Sequence, residues 1–475
     1  MNITKNSIRL LASSKAVIIT FLQLPGMDRV SNVVKRVMDL ENEEVDRCMN
    51  KMTKEFSGRH HNMEEVLLNH FHRIESQYAK SLSQLPYRKK LVLGAFFTKE
   101  YSIQAAALFN PSIVSHPDQN DLQVGEERFI MSLRATGEGH ISSIVFKTGK
   151  VDDKGNILLD KESGYFTRLQ KTENSVYSKK FISERALRNP NFNGTILDHL
   201  PSEFSASEAV DILRSKARKE LSFSDSVAVL EDILDTNYEL EASSAFPVSE
   251  IVIFPNAKSE SMGMEDARFV KFENEGNWIY YGTYTAYDGK QIRTQLMETT
   301  DFFRFRIRSI HGPAISDKGM ALFPEKVNGK FAMISRQGGE KIHIMFSEDL
   351  YCWESFQVLM EPKYDWELVQ LGNCGSPIKT DKGWLLLTHG VGIVRTYVIS
   401  AILLDLRDPT RIIGRLNKPL LEADETEREG YVPNVVYTCG FLRHSDLLVI
   451  PYAVSDSATR FATIRLDDIL NSFNN

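Results

Sequence analysis

The sequence predicts an all-β protein: a five-bladed β-propeller with an N-terminal helical extension and a helical insert. Three observations predict it. Short runs rich in Val, Ile, Phe and Tyr are broken by turn pairs such as "DDKG", "NEGN", "YDGK", "VNGK" and "TDKG", the punctuation of antiparallel hairpins. Those runs recur as three-strand units roughly every 50 to 60 residues, the scale of a propeller blade. Two stretches carry apolar residues at three-to-four spacing instead, and these read as helices.

The apolar stretch "KAVIITFLQL", residues 15–24, is too short to span a bilayer, and no small-residue cleavage site follows it. It reads as a strand, with cytoplasmic residence expected. Residues 28–85 read as helical. Val30, Val33, Val34 and Val37 share one face, and Met63, Val66, Leu67, Phe71, Ile74 and Tyr78 share another after the "SGRHHN" break. Their amphipathic pattern suits a packed cap or an arm for homo-oligomer formation. Residues 1–105 are assigned to this strand and helical extension, and residues 106–475 to the propeller. "RFIMSLRATGEGHISSIVFKTG" opens the ring. A helical insert follows at about 205–240, with Ser207 and Ser224 as N-caps.

Four units then repeat. Their first strands read "ARFVKF", "ALFPEKV", "GSPIKT" and "NVVYTC". The second strands read "NWIYYGTY", "GKFAMISR", "GWLLLTHG" and "SDLLVIPYA", and the third "IRTQLMET", "IHIMFSED", "VISAILLD" and "FATIRLDD". A ring leaves only short, protected sheet edges. Its innermost strands also direct polar residues at one axis.

Composition excludes several classes. Of 475 residues, 42% are hydrophobic and 25% charged, ordinary for a soluble globular chain. The net charge of −6 gives no basic footprint for nucleic acid and no polybasic membrane anchor. Cys48, Cys352, Cys374 and Cys439 are too scattered for a zinc site and read as free thiols. His70 and His72 lie two apart on a helix and do not share a face, so no metal is expected with His60 and His61. Dinucleotide, P-loop and Ser-elbow motifs are absent.

Polar residues recur at the ends of the expected inner strands: Asn110, Arg134, Glu138, His140, Glu325, Lys326, Arg336, His389, Tyr452 and Asp456. Each alone reads more simply as solvated or ion-paired, but their matching positions suit a polar substrate held on the axis. Glu265 and Asp266 stand side by side in "GMEDARF". Adjacent residues of a strand face opposite ways, so one acid should line the channel and the other brace Arg268 or a neighbouring blade.

"MGMEDARF" resembles the G-x-E-D-P-R signature of glycoside hydrolase family 130, the β-mannoside phosphorylases and β-mannosidases. "LFPEKVNGKF", "GWLLLTHGV", "AILLDLRDPTRIIGR" and "YVPNVVYTCG" follow in the family's order. The resemblance runs from about Leu108 to the C-terminus, apart from the helical insert. It implies a five-bladed propeller that cleaves β-mannosidic bonds of manno-oligosaccharides with inversion. Phosphorolysis releases mannose 1-phosphate, with inorganic phosphate as co-substrate and no other cofactor. Asp266 matches the family's catalytic acid, which is implied to protonate the leaving oxygen through a sugar hydroxyl. The expected sugar contacts are Asn110, Arg134, Glu325, Lys326, Tyr452 and Asp456, and the expected phosphate contacts are Arg336, His389 and Arg395.

The sequence departs from the family at Ala267, where proline is usual, and in "AISDKGMALFPEK", which lacks the phosphorylases' Arg-Asn pair. Gln370 stands where they carry lysine. Lys318, with Arg134, Arg336 and Arg395, offers replacement charge. Water is the alternative nucleophile and would make the chain a β-mannosidase. It would need a carboxylate base roughly 6.5–9.5 Å from the acid, with Glu138, Glu325, Glu340 and Glu429 as candidates. A non-catalytic carbohydrate-binding propeller is the reading from another class. Convergence of Asp266, Arg336, His389 and Asp456 in one channel would favour an enzyme.

Overall fold

The hairpins read from the turn pairs form antiparallel meanders in a computed structural model, which describes residues 2–78, 80–172, 175–218, 220 and 223–473. One 12-stranded sheet contains two of them. The first joins Ala107–Ser115, Glu126–Thr136 and Ser142–Asp152, and the second joins Gly263–Asn274, Asn277–Tyr287, Ile292–Thr299 and Arg304–Ser309. A parallel pairing of Gly263 with Ser142 links the two. A four-stranded sheet spans Ala321–Leu322 to Gln357–Met360, and a five-stranded sheet spans Gln370–Asn373 to Ile412–Arg415. Among the described residues no strand path closes on itself as a barrel.

The last sheet pairs Leu447–Val454 with Ala458–Arg465, and its outer strand comes from the other end of the chain. Thr4–Leu11 runs antiparallel to Ala458–Arg465. Lys5 fixes it by donating to Glu427 at 2.6 Å and Asp424 at 2.8 Å. Glu427 is wholly buried, and Tyr452 and Arg460 also donate to it, so its charge is fully met. The sequence reading grouped these first residues with the helical extension. A strand-to-strand pairing over more than 440 residues of separation leaves no local signal.

The apolar face of each meander packs on its neighbours. Phe146, Phe269, Phe302 and Phe305 form one cluster, and Leu385, Leu387, Leu448 and Ile450 another. Each such side chain contributes ~1.5–3 kcal/mol when fully buried.

The expected strand in residues 15–24 is present as Val17–Phe21, paired with Thr98–Ser102. The helical run forms Met27–Met38, Asn42–Phe56 and Met63–Tyr78, with Val30, Val34, Val37, Phe71 and Ile74 inside. A further helix, Tyr87–Phe96, lies beyond the expected boundary. The insert is longer than expected: Lys179–Ala186 precedes Ala206–Ala217 and Ser224–Thr236. Ser205, not Ser207, caps the second helix by accepting from the Glu208 amide, and Phe223 occupies the cap position before Ser224. Among the described residues no helix is long and apolar enough to cross a membrane.

Candidate active site

Two bulges aim the site's key side chains. Register slips between Phe109 and Ser112 in one strand, and between Glu265 and Arg268 in another. The residues that turn there, Asn110 and Asp266, have φ of 50° and 53°. Arg395 at 55° and Asp456 at 49° are also left-handed. Such conformations cost non-glycine residues ~1–3 kcal/mol and persist where the surroundings enforce them. All four line one cavity of about 310 Å³, together with Arg134, Lys318, Arg336, Gln370 and His389.

Asp266 is 9% exposed. Asn110 donates to its Oδ1 at 2.6 Å, and Arg134 Nη1 lies 3.4 Å from the same oxygen. Arg134 also donates to Glu265 at 2.5 Å and to Ser142 at 2.9 Å. As expected, one acid, Asp266, lines the cavity and the other, Glu265, braces a neighbouring meander, but the two do not point strictly apart. A bulge interrupts the strict alternation of the strand, and both carboxylates meet one guanidinium. Glu265 braces Arg134 of the neighbouring meander rather than Arg268. Arg268 is buried beneath the site and donates to the Asp266 backbone carbonyl, Asn373 and the Tyr437 hydroxyl.

These contacts split the two cavity aspartates. Burial alone would raise Asp266, but Arg134, Arg268, Lys318 and the Asn110 hydrogen bond overcome it and hold the carboxyl at about 2. Asp456 has burial and the Asp266 charge against it, and its neighbouring cations only partly compensate. It is pushed up to about 6. Glu265 is raised, first by burial and then by its acidic neighbour.

His389 is 1% exposed. Its Nδ1 donates to the Asn373 carbonyl at 3.3 Å, leaving Nε2 to accept from Arg336 Nη1 at 3.4 Å. Burial, Arg336 and Arg268 keep the ring well below its ordinary value, so it is neutral. The ring lies against Gly372, where an added Cβ would come 2.2 Å from Cε1. Arg336 Nε and Asn110 Oδ1 are buried without a protein partner, among the described residues. A hydroxyl-rich or anionic ligand would meet both needs.

The sequence profile of glycoside hydrolase family 130, described as beta-1,4-mannooligosaccharide phosphorylase, matches residues 224–475, more than half of the chain. The chain belongs to glycoside hydrolase family 130. A 1,2-beta-oligomannan phosphorylase of Thermoanaerobacter sp. is 34% identical over 223 residues, covering 46% of this chain and 73% of the relative. A beta-1,2-mannobiose phosphorylase of the same organism is 31% identical over 259 residues, covering 50% and 81%. The beta-1,2-mannobiose phosphorylase of Listeria innocua is 30% identical over 227 residues, covering 46% and 62%. Its solved structure with beta-1,2-mannobiose aligns over 79% of this chain and 93% of its own, at 22% identity and a TM-score of 0.47.

Of the residues singled out from the sequence, Asn110, Arg134, Asp266, Arg336, His389, Arg395 and Asp456 line this one cavity. Glu325, Lys326 and Tyr452 do not. Glu325 accepts from Lys379 instead, and Lys326 sits over the Phe331 ring. Tyr452 is buried and donates to Glu427. Glu138, Glu340 and Glu429, candidates for a base, lie outside the cavity as well. Gln370, at the family's lysine position, does line it, beside Lys318. Sequence reasoning missed Tyr397 and Tyr437, which flank the His389 ring at centroid distances of 5.8 and 4.9 Å. The only hint of Tyr437 is its place on an alternating strand, in "NVVYTC".

Proposed function

We propose that the protein is an inverting phosphorylase that cleaves the β-mannosidic bond of short manno-oligosaccharides and releases mannose 1-phosphate. The observation that carries this reading is the charge of the cavity. Four basic side chains, Arg134, Lys318, Arg336 and Arg395, face two aspartates, with no glutamate among the described lining residues. Arg134 is committed to Glu265 and Asp266, which leaves Arg336 and Arg395, with Lys318 only loosely paired to Glu265 at 4.0 Å, for an anion. Phosphate so held is already nucleophilic and needs no carboxylate base.

Asp266 is ionised in the empty site. A phosphate dianion among the three cations adds negative charge beside it and raises its proton affinity in the loaded site. HPO₄²⁻ loses one proton when its oxygen bonds C1, and the leaving oxygen gains one when the glycosidic bond breaks. The overall reaction therefore needs no outside acid, and Asp266 has only to pass the proton on. Asn110, Arg134 and Asp456 serve the sugar, and Arg336 and Arg395 the phosphate. His389, neutral, positions Arg336. The three relatives above are phosphorylases of β-1,2-linked mannosides, which makes a β-1,2 linkage the first to test.

The meanders are read as five blades, with Thr4–Leu11 as the outer strand of the last blade, closing the ring. The four cysteines are unpaired thiols, which suits a reducing, cytoplasmic setting. Met27, Met38, Tyr87 and Phe96 are exposed on the N-terminal helices and suit self-association, which gel filtration would measure.

Hydrolysis is the second reading, and Asp456 favours it, since a carboxyl raised to about 6 is a usable base. Incubation with β-1,2- and β-1,4-mannobiose, with and without phosphate, separates the two. Mannose 1-phosphate formed only with phosphate is expected. Mannose released equally well without phosphate would overturn phosphorolysis. Asp266→Asn is expected to lose turnover by ~10²–10⁴-fold. Binding with no turnover in the unaltered protein would leave a carbohydrate-binding module.

A further inference from the structure

We propose that the cleft between the N-terminal helices and the helical insert is a second binding site, built for a phosphorylated sugar. It has a volume of about 850 Å³ and is walled by Phe21 and Arg73 on one side and by Arg168, Lys171 and Ser207 on the other. It shares no lining residue with the Asp266 cavity.

The charge of this cleft carries the argument. In a chain of net charge −6, three cations line it and, among the described residues, no carboxylate does. Each is held by a neutral group. Arg73 lies 4.2 Å over the Phe21 ring, and Lys171 lies 4.7 Å over the Tyr238 ring. Arg168 donates to Asn256 at 2.7 Å and to the Pro255 carbonyl. Arg168, largely buried, is lowered by burial and, more weakly, by Arg73, with the Glu260 carboxylate behind it compensating only in part. Two like charges that repel across one cleft, with no acid on its described lining, are an arrangement that a bound oxyanion relieves. A second observation concerns the sugar rather than the phosphate. His60, 6% exposed, also lines the cleft; its Nε2 donates to Glu100 at 2.7 Å, which leaves Nδ1, buried without a partner among the described residues, to accept from a hydroxyl.

The shape selects the rest of the ligand. The cleft is far larger than a phosphate ion, and Asn69, Gln170 and Asn256 supply amides along its wall. Amides suit hydroxyl groups, and the cations suit a phosphomonoester.

Calorimetric titration of the full chain tests this with four probes: mannose 1-phosphate, glucose 6-phosphate, inorganic phosphate and mannose. Both sugar phosphates are expected to bind the cleft. The double variant Arg73→Ala/Lys171→Ala removes two charge-assisted hydrogen bonds to the phosphate, and each removal should lower affinity roughly tenfold or more. Both residues are exposed, so the variant should fold, and near-ultraviolet circular dichroism checks it. Arg395→Ala is expected to leave cleft binding unchanged. Unaltered binding in the folded double variant would overturn the site. Inorganic phosphate or mannose binding the cleft as tightly as the sugar phosphates would overturn the assigned ligand. The titration does not depend on turnover, so failure of the phosphorolysis assay leaves it intact.

Discussion

Replacing Arg134 with methionine removes the guanidinium that touches both Glu265 and Asp266 and leaves Lys318, 4.0 Å from Glu265, as the more distant charge acting on both. The guanidinium is 3.4 Å from Asp266 and 2.5 Å from Glu265. At an effective dielectric of about 20, a pair at 3.4 Å attracts by roughly 5 kcal/mol before desolvation is subtracted. Breaking a buried pair by deleting one partner costs ~3–5 kcal/mol, because the survivor is stranded. Here two carboxylates would be stranded side by side, and one must take up a proton. Their shared affinity then rises above the unfolded value of about 4. A folded-state pKa raised in this way gives stability that is full below that value and lost as pH rises through the raised one. Arg134→Met should therefore unfold in less urea, with a gap from wild type that widens by roughly 2 kcal/mol between about pH 5 and about pH 8. Wild-type Asp266, held at about 2, does not titrate in that window. Urea midpoints followed by tryptophan fluorescence at the two pH values measure the gap. A gap below about 1 kcal/mol throughout, or one that narrows as pH rises, would refute the electrostatic account of the bulge.

Other consequences follow from the same geometry. Asp456, at about 6, should place an inflection near that value in the pH profile of kcat/KM, and Asp456→Asn should remove it. Because its folded value lies above the unfolded one, Asp456 favours folding at low pH and loses that contribution as pH rises from about 4 through 6. The asparagine variant should thus be more stable than wild type by ~2 kcal/mol at neutral pH, less at low pH. Gly372→Ala sets a methyl 2.2 Å from His389, and should cost ~1–3 kcal/mol by overpacking while raising KM for phosphate as Arg336 is displaced. An unchanged KM would separate His389 from the phosphate. Arg395→Ala should raise the same KM with little effect on folding, since Arg395 lies over the Tyr397 ring and, among the described residues, has no ion pair to hold it.

The sequence by itself determined the local repertoire. Turn pairs and alternating apolar runs define hairpins through forces that act within a few residues, and so do helical periodicity and the "GMEDARF" signature. Hence the strands from Gly263 onward, the helices from Met27 to Tyr78 and the presence of Asp266 in the cavity were legible. So was most of the basic lining of its cavity, because those residues sit at comparable ends of successive strands. Only the tertiary structure decided which side of each strand became the site. Alternation alone sends Glu265 and Asp266 apart, but a bulge that matters only when Ala107–Ser115 and Glu126–Thr136 pack beside it turns both onto Arg134. Burial, which no window of sequence records, then separated two chemically identical aspartates to about 2 and about 6. The joining of Thr4–Leu11 to Ala458–Arg465 was likewise invisible, since strand pairing depends on partners that the chain brings together only when folded.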